Sequence, residues 1–105
     1  MWFVFPQIAG LGSSPMAQHF AISSLAEARA YVDHPILGPR LRECCAALTE
    51  LTTTDAVRVL GPVDALKLRS SMTLFDRAAP EDPVFARVLE QYYDGRRDEA
   101  TIARL

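Results

Sequence analysis

Four polar side chains in the stretch Leu66-Lys-Leu-Arg-Ser-Ser-Met-Thr-Leu-Phe75 have the types and spacing to do chemistry: Lys67, Arg69, Ser70 and Ser71. The guanidinium and the two hydroxyls suit the oxygens of a carboxylate or a phosphate. Lys67 is the only lysine of a chain whose other cationic side chains are arginines, which favours a compact, titratable ammonium there. The set predicts a site for a small anionic ligand, or else a network in which these groups bond to backbone carbonyls and to one another.

Lys67 and Ser71 also have the spacing of a minimal catalytic pair. Residues four apart on a helix lie on the same side, so the amine of Lys67, once it has lost its proton, can activate the Ser71 hydroxyl as a nucleophile. The usual serine–lysine motif places the serine three residues before the lysine, and the order here is reversed. His34 offers a second route to catalysis, because Asp33 beside it can orient the imidazole as a base. A histidine before a proline is also typical of an ordinary surface loop.

Three kinds of function are consistent with these residues. The leading hypothesis is a binding module for a small anionic ligand or a peptide, with Gln7 and the apolar block at residues 2–5 near the polar set at 67–71. The second is a small hydrolase or transferase that acts on a phosphate-bearing metabolite, with Lys67 or His34 in acid–base work. The third is a structural or interaction protein in which all these groups only hold the helices together.

The composition excludes several classes of protein. A formal charge of −2 and a pI near 5.6 argue against a nucleic-acid binder and against a polybasic membrane-surface protein. Cys44 and Cys45 are adjacent, so on a helix they point about 100° apart and are poor disulfide partners. The chain has no C-x-x-C pair and neither histidine lies near the cysteines in sequence, so a zinc site lacks support. No metal or other cofactor is predicted. We expect a cytoplasmic protein with reduced thiols.

The elements that must position these residues are helices. Apolar residues recur at steps of three and four, and no segment shows the two-residue alternation of a strand. The 105 residues suffice for one domain, so we predict a small all-α bundle of about six helices joined by Pro and Gly turns. Cap residues, prolines and glycines mark seven candidate segments for these helices, at 15–21, from 24 to 31 or 32, at 38–52, at 55–60, from 62 to 77 or 79, at 82–94 and at 99–105.

Several strings of the sequence resemble a known bacterial family. They are Trp2-Phe-Val-Phe-Pro-Gln7, Ser14-Pro-Met-Ala17, Ala30-Tyr31 with His34-Pro35, Leu37-Gly-Pro-Arg40-Leu41, and the stretch from Leu66 to Phe75. Over essentially its whole length the chain is similar to the domain-of-unknown-function family 1810. The resemblance implies an all-helical fold and no established activity. Some members carry a calpastatin label, although a compact helical pattern is unlike a disordered repeat inhibitor.

The resemblance also implies a different start for the chain. Members of that family typically have a further helical segment before the Trp-Phe-Val-Phe-Pro block, whereas Met1 lies directly before Trp2 here. We therefore expect an N-terminally truncated form, or one whose start is misassigned. In such a form a hydrophobic groove lined partly by Trp2, Phe3 and Phe5 would be left uncovered.

Overall fold

Six helices lie in the part of the chain that the computed structural model describes, residues 5–7, 10–11 and 21–105. They are Leu25–Asp33 (α1), Leu37–Glu50 (α2), Ala56–Leu60 (α3), Pro62–Ala78 (α4), Val84–Tyr93 (α5) and Glu99–Ala103 (α6). The prediction of an all-α fold of about six helices is confirmed. The helix predicted over residues 15–21 lies almost wholly outside the described residues.

Side chains close to the helix starts fix where three of the helices begin. The carboxylates of Asp55 and Asp98 accept the N–H groups of Arg58 and Thr101, and so cap α3 and α6. The hydroxyl of Ser24 caps α1 in the same way by accepting the Glu27 N–H. The spacing of Ser24 and Glu27 is that of a capping box, but only half of it is present, because the Glu27 carboxylate accepts the N–H and hydroxyl of Ser23 and not the N–H of Ser24.

The helix α2 is fixed at both ends by contacts that differ from the predicted ones. It begins at Leu37, one residue before the predicted Gly38, and a Cβ at Gly38 would lie 2.0 Å from the carbonyl oxygen of Val32. It ends at Glu50, where Gln91 Nε2 donates to three carbonyl oxygens, that of Leu48 in the last turn and those of Leu51 and Thr53 just beyond it. The close approach of α1 to α2 therefore depends on the missing side chain of Gly38.

The helix α4 is the centre of the fold. It packs against α1, α3, α5 and α6, while α2 packs against α1 and α5. Its buried residues are Ala65, Leu68, Ser70, Ser71, Met72, Thr73, Leu74 and Phe75. Six consecutive buried positions from Ser70 to Phe75 mean that this part of α4 is covered on all sides. In the first turns of α4, by contrast, Pro62, Val63 and Leu66 are exposed.

The apolar pattern of the sequence predicts one apolar side of α4 formed by Val63, Leu66, Met72 and Phe75, and this prediction is only partly correct. Met72 and Phe75 are fully buried, but Val63 and Leu66, which the pattern placed beside them, are 61% and 68% exposed. The reason is the helical period: at about 100° per residue, Val63 and Leu66 point about 120–180° away from Met72 and Phe75 and so lie on the other side of α4. An exposed apolar surface at the start of α4 results.

Candidate functional site

Arg69 connects α4 to the loop between α5 and α6. Its Nε donates to the carbonyl oxygen of Arg96 at 3.0 Å, and its Nη2 donates to that of Arg97 at 2.8 Å. Arg97 in turn forms a salt bridge with Asp76 of α4, with 2.8 Å between Nη2 of Arg97 and Oδ2 of Asp76. Two of the five N–H donors of the Arg69 guanidinium are thus engaged in holding a loop.

Ser70 takes part in a second connection between α4 and α6. Its hydroxyl lies 3.2 Å from the carbonyl oxygen of Leu66 and 3.1 Å from Oδ2 of Asp98. The same Oδ2 accepts the backbone N–H and the hydroxyl of Thr101, at 3.0 and 2.6 Å. Thr73 completes the network, because its hydroxyl accepts the Asp98 N–H at 2.9 Å. The hydroxyls of Ser70 and Thr73 are thus hydrogen-bonded within the protein, where they join α4 to the start of α6.

Lys67 and Ser71 lie away from Arg69. Residues two apart on a helix point about 200° from each other, so Lys67 and Arg69 lie on nearly opposite sides of α4. Ser71 is fully buried, and its hydroxyl has no hydrogen-bond partner in the part of the chain that the structure describes. The four predicted residues are therefore not gathered around one open site, and Lys67 makes no hydrogen bond to the Ser71 hydroxyl.

Gln7 and His34 both hydrogen-bond to backbone N–H groups, Gln7 through its own carbonyl oxygen and His34 through its imidazole. The carbonyl oxygen of Gln7 accepts the N–H of Ile22 at 2.8 Å. Nδ1 of the exposed His34 accepts the backbone N–H groups of Ile36 and Leu37, both at 3.1 Å, and so caps the start of α2. Asp33 pairs with Arg29 and not with the imidazole. Trp2 and Phe3 lie outside the described residues, and Phe5 is buried in the core.

An open cavity lies between α3, the first half of α4 and the end of α5. We call it the α3–α4 groove. Its volume is about 330 Å³, and it is lined by Thr54, Asp55, Ala56, Val57, Pro62, Ala65, Leu66, Arg69, Tyr92 and Tyr93. Most of this lining is apolar, and Arg69 is its one cationic side chain. A pocket of this size and character is typical of a binding site.

The aromatic floor of the groove is held in place by hydrogen bonds to the backbone. The hydroxyl of Tyr93 donates to the carbonyl oxygen of Ala65, and that of Tyr92 to the carbonyl oxygen of Leu48 at 2.6 Å. Burial raises the pKa of Tyr93 well above its ordinary value, and the nearby charge of Arg69 opposes this only in part. Both phenols therefore stay neutral at physiological pH and present ring surface to the groove.

Charge in the groove is concentrated at Arg69. Since two of its N–H donors are used by the loop carbonyls, three remain among the contacts of the described residues. Asp55 supplies a carboxylate on the opposite wall, but it is exposed and its Oδ1 already accepts the N–H of Arg58. An anionic group is therefore best placed at the Arg69 end.

Across residues 5–7, 10–11 and 21–105, no group of three or more His, Cys, Asp or Glu side chains is placed to hold a metal ion. In the same part of the chain no helix is both long enough and apolar enough to cross a membrane.

Comparison with known proteins identifies the family. The profile of the DUF1810 family, described as a protein of unknown function, matches residues 1–105. The chain belongs to the DUF1810 family. A comparison with curated proteins gave no match. The resemblance inferred from the sequence strings is thus confirmed, whereas the missing N-terminal segment stays a prediction.

A solved structure supports the fold. The chain is similar to the conserved hypothetical protein Rv1873 from Mycobacterium tuberculosis, known from a crystal structure, with 50% sequence identity and a TM-score of 0.96. The match covers 99% of this chain and 74% of the mycobacterial chain. The helical architecture described above is therefore shared with this mycobacterial protein.

Sequence reasoning missed most of the groove. It placed Leu66 on the apolar side of a buried helix and gave no role to Val57, Tyr92 or Tyr93 beyond packing. One signal was present, because two valines in a helix of only five residues, Ala56–Leu60, cannot both be buried. Which of them faces a cavity depends on the angle between α3 and α4, and the sequence pattern does not contain it.

Proposed function

We propose that this DUF1810 protein is a binding module that holds an apolar group bearing a carboxylate in the α3–α4 groove. One observation carries the proposal: an apolar groove with a tyrosine floor ends at a guanidinium that retains three unengaged N–H donors among the described contacts. Arg69 is held in place by the loop carbonyls, so its remaining donors are oriented before a ligand arrives. Arginine is well suited to carboxylates because it can donate two parallel hydrogen bonds.

The hydrophobic contribution comes from the walls of the groove. Leu66 is 68% and Val57 52% exposed, and both line the groove. Covering such side chains stabilises a complex by about 25 cal/mol for each Å² of apolar surface removed from water. The apolar contacts then supply affinity, while Arg69 selects an anion over a neutral analogue.

The other functions have less support. A Ser71 nucleophile would have to reach a substrate from a fully buried position, and Nδ1 of His34 is engaged by two backbone N–H groups. The contacts of Ser70 support a structural role for this residue, since its hydroxyl bonds within the protein. We therefore assign ligand binding to Arg69 and the α3–α4 groove, and not to Lys67, Ser70 and Ser71.

NMR titration with a small probe tests the proposal. We would add 3-phenylpropionate to the ¹⁵N-labelled protein and compare it with the neutral 3-phenylpropanamide. A ligand of this size is expected to bind with a Kd in the millimolar range, that is, about 3 to 4 kcal/mol. The expected result is a set of shifts confined to the lining residues, with the carboxylate binding at least about fivefold tighter than the amide.

Two variants separate the groove from the rest of the surface. Leu66→Ser should weaken binding several-fold, while Ile36→Ser, which removes a similarly exposed apolar side chain (57%) away from the groove lining, should leave it unchanged. Shifts outside the groove, equal affinity for the acid and the amide, or equal effects of the two variants would each refute the proposal.

A further inference from the structure

The apolar surface around the groove extends beyond it. Val63 is 61% exposed and lies one turn before Leu66 on α4, yet it does not line the cavity. A small molecule inside the groove would leave Val63 and much of Leu66 in water. Apolar side chains clustered around a pocket in this way are typical of a surface that a macromolecule covers.

The spacing of the α4 lining residues matches that of a second helix. Pro62, Leu66 and Arg69 follow one another at steps of four and three residues, which puts Pro62 and Arg69 about 10 Å apart along the axis. A helix lying beside α4 presents side chains at the same steps, so two apolar residues can enter the groove while a third reaches Arg69.

Backbone hydrogen bonding favours a helix over an extended peptide. The groove walls on α4 and α5 are helical, and the carbonyl oxygen of Ala65 already accepts the hydroxyl of Tyr93. An extended segment would have to desolvate its own N–H and C=O groups against this apolar lining without partners. A helix has satisfied most of these groups internally before it binds.

We propose that the natural occupant of the α3–α4 groove is an amphipathic helix of a protein partner. It carries two large apolar residues one turn apart and an aspartate or glutamate a further turn along, which pairs with Arg69. This inference rests on the proposed function and names the partner class for the same site. The acidic residue is required by charge complementarity with the three remaining donors of Arg69.

Fluorescence anisotropy with stapled peptides tests the inference. The probe is a labelled helix of about 15 residues, stapled on the face away from the protein so that it is helical in isolation. It displays Leu at i and i+4 and Glu at i+7. One control replaces the Glu by Lys, and a second keeps the composition but moves the two Leu residues to opposite faces.

The expected result is binding of the Glu peptide that depends on the groove. The Lys peptide should bind at least about fivefold more weakly, and the peptide with divided Leu residues at least about tenfold more weakly. Leu66→Ser should weaken the Glu peptide about tenfold, and Ile36→Ser should change its Kd by less than about twofold. Both variants alter exposed side chains, so the fold should be kept.

Three results would overturn the inference, and they are distinguishable. If 3-phenylpropionate binds in a Leu66-dependent way while the three peptides bind equally or not at all, the helical partner is wrong and the proposed function stands. If neither probe depends on Leu66, both fail. If sedimentation of the free protein shows a dimer that Leu66→Ser dissociates, a second copy of this chain is the occupant instead.

Discussion

Replacing Asp98 by alanine should detach the α6 end of the molecule from α4. Oδ2 of Asp98 accepts three hydrogen bonds in the structure, from the Ser70 hydroxyl and from the backbone N–H and hydroxyl of Thr101. In the Asp98→Ala variant Ser70 keeps the carbonyl oxygen of Leu66 as a partner. Thr101 is fully buried, so its two donors lose their acceptor in a place that water does not reach.

The size of the effect follows from these contacts. Loss of an aspartate N-cap costs about 1 kcal/mol, and a buried hydroxyl left without a partner costs about 1–3 kcal/mol. We therefore expect the free energy of unfolding to fall by about 3 kcal/mol, a large part of the roughly 5–15 kcal/mol of a typical domain. The melting temperature should fall by about 15 °C for a chain of this size.

Chemical and thermal denaturation of matched variants measure this effect. Asp98→Asn keeps an oxygen acceptor and should cost less than about 1 kcal/mol. Ser70→Ala combined with Asp98→Ala should cost less than the sum of the two single changes, because the shared hydrogen bond is lost once. If Asp98→Ala is within about 0.5 kcal/mol of the wild type, or the two costs add, the network does not hold α6. The Ser70 hydroxyl would then be available to a ligand.

Two further predictions concern buried groups of α2. Burial raises the pKa of the Cys45 thiol from 9.0 to about 12, so above pH 9 the unfolded chain releases a proton that the folded one keeps. The free energy of unfolding should therefore fall as the pH rises. Urea denaturation at pH 8 and at pH 10 should give free energies of unfolding whose difference includes about 1 kcal/mol due to Cys45, and this part should be absent in Cys45→Ala. Gly38→Ala should destabilise by about 2 kcal/mol because the added Cβ meets the Val32 carbonyl, although helix propensity alone predicts a gain of about 1 kcal/mol. A melting temperature that rises in Gly38→Ala would contradict the observed packing of α1 on α2.

Much of the helical fold could be predicted because its signals are local. The caps at Ser24 and Asp98 act over three residues, and Pro62 at the first position of α4 presets the backbone of that turn. Boundaries that depend on distant residues were less accurate. Gln91 ends α2 from 40 residues away in sequence, and Asp55, predicted as the first residue of a helix, is instead the cap of α3.

The candidate site was predicted only at Arg69. The types of side chain in the stretch 67–71 indicated anion binding, but the acceptors of Arg69 and Ser70 lie 27 and 28 residues further along the chain. No local pattern shows that Arg96 and Asp98 arrive there. The groove itself is formed by α3, α4 and α5, so its lining is a property of their packing.

The sequence by itself determined the all-α class, most helix starts and the set of chemically able residues, because periodicity and capping act within one or two turns. Only the tertiary structure decided which of those residues are buried or hydrogen-bonded within the fold and which can reach a ligand. It buried Ser71, bound Ser70 to Asp98, left Leu66 exposed, and placed Arg69 at the end of an apolar groove with three of its donors unengaged among the described contacts. A hydrogen-bond donor is available to a ligand only if no acceptor of the fold reaches it first, and those acceptors arrive from distant parts of the chain.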